Sequence, residues 1–227
     1  MPETRADTAL SFFDLPIEGQ NLRLHAGRYA EWLEEKTLFV ADVHLGKIAH
    51  FRRAGIGIPP QAGENGFLRL SEILQRHRPA RMMILGDLFH SDFNEDFPRF
   101  AEWRKNHSAV DITLIPGNHD RSGLPHLSQL GIEIQPPHQS GPFFLQHEAG
   151  ENEVGFLLHG HLHPGISLHG VGRQHLRMPA FWLQKHALCL PAFGTFTGLA
   201  SISPDPEDVI FAIAGQRIQR IPAAILR

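Results

Sequence analysis

Five apolar runs in this chain break off into residues that bind metal ions or move protons. "TLFVADVHLGK" releases Asp42 and His44, "RMMILGDLFHSD" releases Asp87 and His90, and "TLIPGNHDRSG" releases Asn118, His119 and Asp120. Further on, "GPFFLQHEAG" carries His147 and "GFLLHGHLHPG" carries His159, His161 and His163. Gly and Pro at such breaks mark sharp loops, and in open α/β sheets ligands sit where loops leave the carboxyl ends of strands. Singly, each signal has an ordinary explanation, such as an Asp capping a helix or closing an Asx-turn. Together they do not, because three alternating histidines on a greasy strand are costly to bury unpaired.

The collected donors are two carboxylates, one amide oxygen and several imidazoles, a set suited to divalent Mn, Fe, Zn or Ni rather than to Ca or a thiolate-bound structural zinc. One carboxylate can bridge two ions, and Asp87 is the natural bridge because it leaves the central strand of the first βαβ unit. The expected division is Asp42, His44, Asp87 and His163 on one ion, with Asp87, Asn118, His147 and His161 on the other. His159 competes with His147 for that second ion, although spacing favours His147. Two ions about 3.5–4 Å apart recur in phosphoester hydrolysis, where they generate hydroxide at neutral pH and clamp the attacking and leaving oxygens. Two such cations outweigh two carboxylates and a hydroxide, so the site attracts an anionic diester. His119 follows a ligand and can reach the leaving oxygen as general acid, with Asp120 holding its tautomer.

The elements that position these residues are read from short apolar runs at 38–41, 82–85, 112–115, 143–145, 156–158, 187–190 and 209–214, each the length of a buried strand. In an extended segment residues two apart share a side, which would let Asp42 and His44 reach one ion together. Between the first two runs, Phe67, Leu70, Ile73 and Leu74 fall at helical spacing, with Arg76, His77 and Arg78 late and Pro79 ending the helix. A second helix is predicted where Phe93, Phe97, Phe100 and Trp103 share a face, provided Pro98 falls in its first turn. A short third helix runs through Leu124, Leu127 and Leu130. The alternation of strand and helix, followed from Gly141 by strands alone, predicts an α/β domain of two sheets packed face to face with helices outside.

The 227 residues suit a single domain, 1–227, and 42% hydrophobic with 20% charged residues excludes whole-chain disorder. The single cysteine, Cys189, lies in the apolar run "ALCLPAF", forms no intrachain disulfide and fits a reducing compartment. With no basic leader followed by an apolar stretch and no run of about 18 apolar residues, the expected location is cytoplasmic, away from membranes. A net charge of −3 argues against a generally basic coat, whereas 16 histidines exceed what packing needs.

"DVH", "GDLFH", "GNHD", a lone His and "GHLH", in this order from Asp42 to His163, resemble the five signature blocks of the calcineurin-like metallophosphoesterases. The resemblance implies a four-layer α/β/β/α sandwich of two mixed sheets, a dinuclear metal site on the residues divided above, and His119 as the catalytic histidine. "FRRAGI", "LGDLFHS", "GPFFLQHE" and the late "LPAFGTFTG" extend the likeness to the bacterial ligase-associated DNA damage response endonucleases, and "GDLFH" is also the block of the SbcD-type nucleases. In those enzymes the histidine matching His90 faces the substrate phosphate. The function so implied is a manganese-dependent DNA endonuclease in DNA repair, acting on single-stranded DNA first, with a helicase and a ligase as companions. Lys47, Arg52, Arg53 and Arg121 flank the expected site as phosphate contacts, Arg173 and Arg177 lie further along, and a loop with Phe193 and Phe196 offers stacking surfaces. The competing readings are a phosphoesterase of the same superfamily acting on a small nucleotide-linked substrate, and a scaffold without catalysis. The second is disfavoured because every expected ligand is present.

Overall fold

The structure, a computed structural model, describes residues 11–47, 55, 57, 61–90, 96–150, 154–169 and 175–223. It opens with three strands that the apolar runs do not contain: β1 (Phe12–Ile17), β2 (Gln20–His25) and β3 (Tyr29–Trp32) fold back and forth onto β4 (Thr37–Val40) as an antiparallel meander. Glu18 and Gly19, at φ 48° and 73°, make the two-residue turn between β1 and β2, the left-handed pair whose twist suits a tight hairpin. β4 then leads into the parallel half, with β5 (Arg81–Leu85), β6 (Asp111–Ile115) and β7 (Ile132–Ile134) side by side. The crossovers are the predicted helices, α1 (Gln61–His77), α2 (Asp96–Asn106) and α3 (Leu124–Gln129). Pro98 falls in the first turn of α2, where its missing N–H costs nothing, and Phe100 and Trp103 are buried. Phe93 lies outside the described residues.

The second sheet holds β8 (His138–Ser140), β9 (Phe143–Leu145), β10 (Phe156–His159), β11 (Pro164–His169), β12 (His175–Leu183), β13 (Ala187–Cys189), β14 (Ala200–Ser201), β15 (Val209–Ala214) and β16 (Arg217–Pro222). Its order is β14-β11-β12-β13-β10-β9-β8, with β15 on β12 and β16 on β15. β10 runs parallel to both neighbours while β12 is antiparallel to its own, so this sheet is mixed as well.

Alternation along the strands defines the layers. Phe39, Ala41, Met83 and Leu85 of the first sheet meet Phe143, Leu158, Phe181 and Phe211 of the second in one core between the sheets. Their neighbours Leu38, Val40, Met82 and Ile84 point the other way, against Leu70, Leu74, Phe100 and Leu127 of the helices. The expected sandwich of two mixed sheets is therefore present, with helices over the first. Among the described residues no helix covers the second, whose outer face carries a small cluster of Ile166, Met178, Ala180, Ile210 and Ala212.

Candidate active site

The five polar stretches meet where β4, β5, β6, β9 and β10 end. Backbone bonds stitch the loops of the two sheets, Phe193 N donating to Ala41 O (2.8 Å) and Gly194 N to Asp42 O (3.0 Å), while within the second sheet Gly160 N donates to His147 O (3.0 Å). Within the first sheet, Asp42 N donates to Gly86 O (3.1 Å) and His44 N to Asp87 O (3.0 Å). The donors therefore come from loops that are pinned to one another.

Two groups of side chains result. The ligating atoms of Asp42, His44 and His163 lie within 4.8 Å of one another, and so do those of Asp87, His147 and His161. Asp87 stands between them. Its Oδ2 is 4.0 Å from His44 Nε2 and 3.6 Å from His147 Nε2, one ring from each group, and 3.9 Å from His119 Nε2. Its Oδ1 accepts the backbone N–H of His119 at 3.0 Å. The structure thus gathers all six expected His and Asp ligands. Asn118 is exposed, on the wall of a cleft that His147 also lines.

The route to this convergence differs from strand alternation. β4 ends at Val40 and β10 at His159, so Asp42, His44, His161 and His163 all lie beyond strands. They converge because Asp42 (φ 52°), His44 (φ 50°), Asp87 (φ 52°), His161 (φ 67°) and His163 (φ 49°) adopt left-handed backbone, which turns successive side chains inward. Non-glycine residues seldom do so, and such strain concentrates at functional sites. Two glycines make room: a Cβ on Gly117 would sit 2.3 Å from Asp87 Oδ1, and one on Gly86 (φ 79°) would sit 2.0 Å from His147 Nδ1.

The donors suit cations better than one another. His147 Nδ1 donates to Leu85 O at 2.9 Å, which leaves its Nε2 lone pair facing His161 Nδ1, 3.1 Å away. His44 Nε2 and His163 Nε2 face each other at 3.2 Å. Burial, reinforced by His163 and Lys47, drives the His44 imidazole down to about 2, so it is neutral at pH 7 and one ring nitrogen keeps a lone pair to offer. Asp42 Oδ1 is buried without a hydrogen-bond partner although His163 Nε2 is 3.2 Å away. Unpartnered carboxylate oxygen and converging imidazole nitrogens are what a divalent ion needs.

The proton-handling residues rim this pair of groups. The His119 side chain is 46% exposed, and its ring lies 5.7 Å from that of His44 and 5.5 Å from that of His90. Asp120 is placed otherwise than expected. Its Oδ2 accepts the amides of Asp87 (2.8 Å) and Gly117 (2.9 Å), and its Oδ1 that of Leu88 (3.0 Å), so the carboxylate clamps two loops and does not hold the His119 ring. Burial raises its pKa and these amides oppose the rise. His159 is fully buried, its Nδ1 3.0 Å from Gly160 O, and stands outside both groups; His147 takes the place for which the two competed.

Lys47 is half-buried, its ammonium disfavoured by burial and favoured by the Asp42 and Asp87 carboxylates. Arg121 is exposed beside Asn118. Arg52, Arg53 and Arg173 lie outside the described residues, and Arg177 is tied to Leu199 O on the exposed face of the second sheet. The sequence reading missed Arg69, which shares a cleft with His44, Lys47 and Phe196 and stacks on Phe193 at 4.1 Å. Its helical position gave no signal, since only the fold brings it to the loops.

The calcineurin-like phosphoesterase family model matches residues 35–182, which include every residue of both groups. The chain belongs to this family. Among solved structures, this phosphoesterase is 30% identical to Pseudomonas putida nuclease MPE, with a TM-score of 0.76 over 92% of this chain and 100% of that one. YfcE, a phosphoesterase from E. coli, is 17% identical with a TM-score of 0.43, over 82% of this chain and 98% of that one, and at that score bears no argument. No curated protein gives a significant match. The family makes the chain a phosphoester hydrolase, and its His/Asp groups are fitted to metal. No helix among the described residues is long and apolar enough to cross a membrane.

Proposed function

We propose that this phosphoesterase is a metal-dependent phosphodiesterase that cuts DNA internally in the service of repair, with manganese as its working ion. The position of Asp87 carries the reading: a single carboxylate oxygen within 4.0 Å of imidazole nitrogens from both His/Asp groups is where a bridging ligand belongs. Asp42, His44, Asp87 and His163 would hold one ion, and Asp87, Asn118, His147 and His161 the other. Bound there, the pair would supply a hydroxide at neutral pH and neutralise charge on the phosphoryl oxygens.

The chain's own residues do the rest. His119 stands half in solvent beside Asp87 and protonates the departing oxygen, its backbone fixed by the N–H bond to Asp87 Oδ1. His90 packs against both His44 and His119, ring centroids 5.5 Å from each, and faces the phosphate from the same side. Lys47 and Arg121 contact flanking phosphates, with Arg52 and Arg53 assigned to that surface by sequence alone. The nuclease relative, matched over its full length, favours a polymer over a small substrate.

The test is a manganese-supplemented incubation with closed circular single-stranded DNA, which only an internal cut can open. Linear product in the wild type and none in Asp87→Ala is the expected result. An intact circle, together with turnover of small phosphodiesters, would install a small substrate in place of DNA.

A further inference from the structure

A third group of metal-type donors lies on the helix-covered face of the first sheet, away from the strand ends. His25 ends β2, Glu31 lies on β3 and His77 closes α1. Glu31 Oε2 is 3.2 Å from His25 Nε2 and 3.2 Å from His77 Nδ1, and all three atoms fall within 4.8 Å of one another. All three side chains are largely withdrawn from water. We propose that His25, Glu31 and His77 form a separate, mononuclear zinc site that staples the last turn of α1 to the β2–β3 hairpin.

The geometry suits that ion. Donors at about 2.0–2.1 Å from a tetrahedral zinc stand roughly 3.3–3.4 Å apart, close to the two observed spacings. Ligating histidines use their second ring nitrogen to fix orientation, and His77 Nε2 is 2.8 Å from the Tyr29 hydroxyl. The same tyrosine ring stacks on His25 with centroids 4.3 Å apart, so one residue orients both imidazoles. Burial and the neighbouring His77 hold His25 down to about 4, so its ring is neutral at pH 7 and needs no proton removed before it binds a cation.

The surroundings narrow the choice of ion. Arg76 and Arg28 line the adjoining cleft together with Glu72, and Arg23 lies opposite Glu31 in the β2–β3 pairing. Glu31 is the one carboxylate in the donor set, whereas magnesium, calcium and manganese prefer sites built of several oxygens. Zinc, which gains much of its affinity from imidazole, remains. The competing state is a proton network, in which both rings donate to Glu31 and Tyr29 donates to His77 Nε2. The site would add binding free energy to folding rather than take part in turnover.

The full chain, incubated with zinc and desalted, should retain one zinc beyond those of the His/Asp centre, as counted by plasma mass spectrometry. Glu31→Gln, which keeps hydrogen-bonding capacity, and His77→Gln should each lose that zinc on desalting and keep manganese-supported turnover at the wild-type level. In an Asp87→Ala background the zinc should persist, and cobalt in its place should give the visible absorption of a four-coordinate site, abolished by adding Glu31→Gln. Equal zinc in wild type and both Gln variants, or no cobalt band sensitive to Glu31, overturns the proposal and leaves the proton network. Neither outcome depends on the DNA reading, which the circle-opening experiment judges alone.

Discussion

The strand-end centre and the His25–Glu31–His77 group use the same donors in opposite backbone settings. At the centre, five residues sit in left-handed conformation beyond the ends of strands. In the outer group, none of the three has positive φ; they lie on regular strands and a helix. Left-handed backbone costs roughly 1–2 kcal/mol per residue, so the centre stores several kcal/mol, a large share of a domain's net stability of about 5–15 kcal/mol. A fold keeps such strain only where something requires it, and aiming five side chains at one point is such a requirement. The outer group needs no strain, because it joins elements that already touch. Strained donors mark chemistry here, and relaxed donors mark architecture.

Asp87 is where the contrast is sharpest. Asp87→Ala should cut phosphodiester turnover by about a thousandfold or more and lower metal occupancy at the centre, with the outer zinc unaffected. Turnover near wild type would remove Asp87 from the bridge and with it the claim that strain marks the reactive region. His119→Ala comes next. It leaves every His/Asp ligand in place, so metal content should match wild type, while diesters with poor leaving groups slow by about 10²–10³-fold and nitrophenyl esters much less. Equal slowing of both substrates would count against the acid role.

Much of the centre was legible because apolar runs end at Ala41, Leu85, Ile115, Leu145 and Leu158, and polar residues crowd at or just beyond these ends. Position was readable; the mechanism of convergence was not. Alternation along a strand suggested that Asp42 and His44 share a side, whereas alternate left-handed residues bring them together, and no propensity predicts that. Asp120 was read as a partner of His119 because the two are adjacent, but its carboxylate finds the unpaired amides of Asp87, Leu88 and Gly117. The meander β1–β3 escaped notice because its apolar alternation, Leu22 and Leu24 around Arg23, is short and set among charges. The outer group was invisible because His25 and His77 belong to elements far apart in sequence.

The outer group also sets a pH dependence. Burial, with His77, lowers His25 from an ordinary 6.5 to about 4. A depressed pKa means that the unfolded chain binds the proton first, so the stability it contributes is full above about 6.5 and is lost as pH falls towards 4. At about 1.4 kcal/mol per unit, the loss is on the order of 3 kcal/mol. His44 and His159 act in the same direction, so the informative quantity is a difference. In chelator-treated protein, urea unfolding of His25→Phe, which keeps a ring against Tyr29, should show a shallower loss between pH 6.5 and 4 than wild type. Parallel curves would mean that His25 is not the buried neutral base described.

Tyr29→Phe should have the smallest effect and divide the two regions most cleanly. The substitution removes the 2.8 Å bond to His77 Nε2 and keeps the ring that stacks on His25. In zinc-free protein the cost should be that of one hydrogen bond, about 0.5–1.5 kcal/mol, read as a small drop in Tm. With zinc bound the cost should grow, because an unheld His77 ring weakens the metal by about tenfold or more. A larger drop in Tm with zinc than without is the signature of a ligand-orienting hydroxyl, whereas a purely hydrogen-bonded network would lose the same amount in both. Turnover should not change in either case, since Tyr29 belongs to neither His/Asp group.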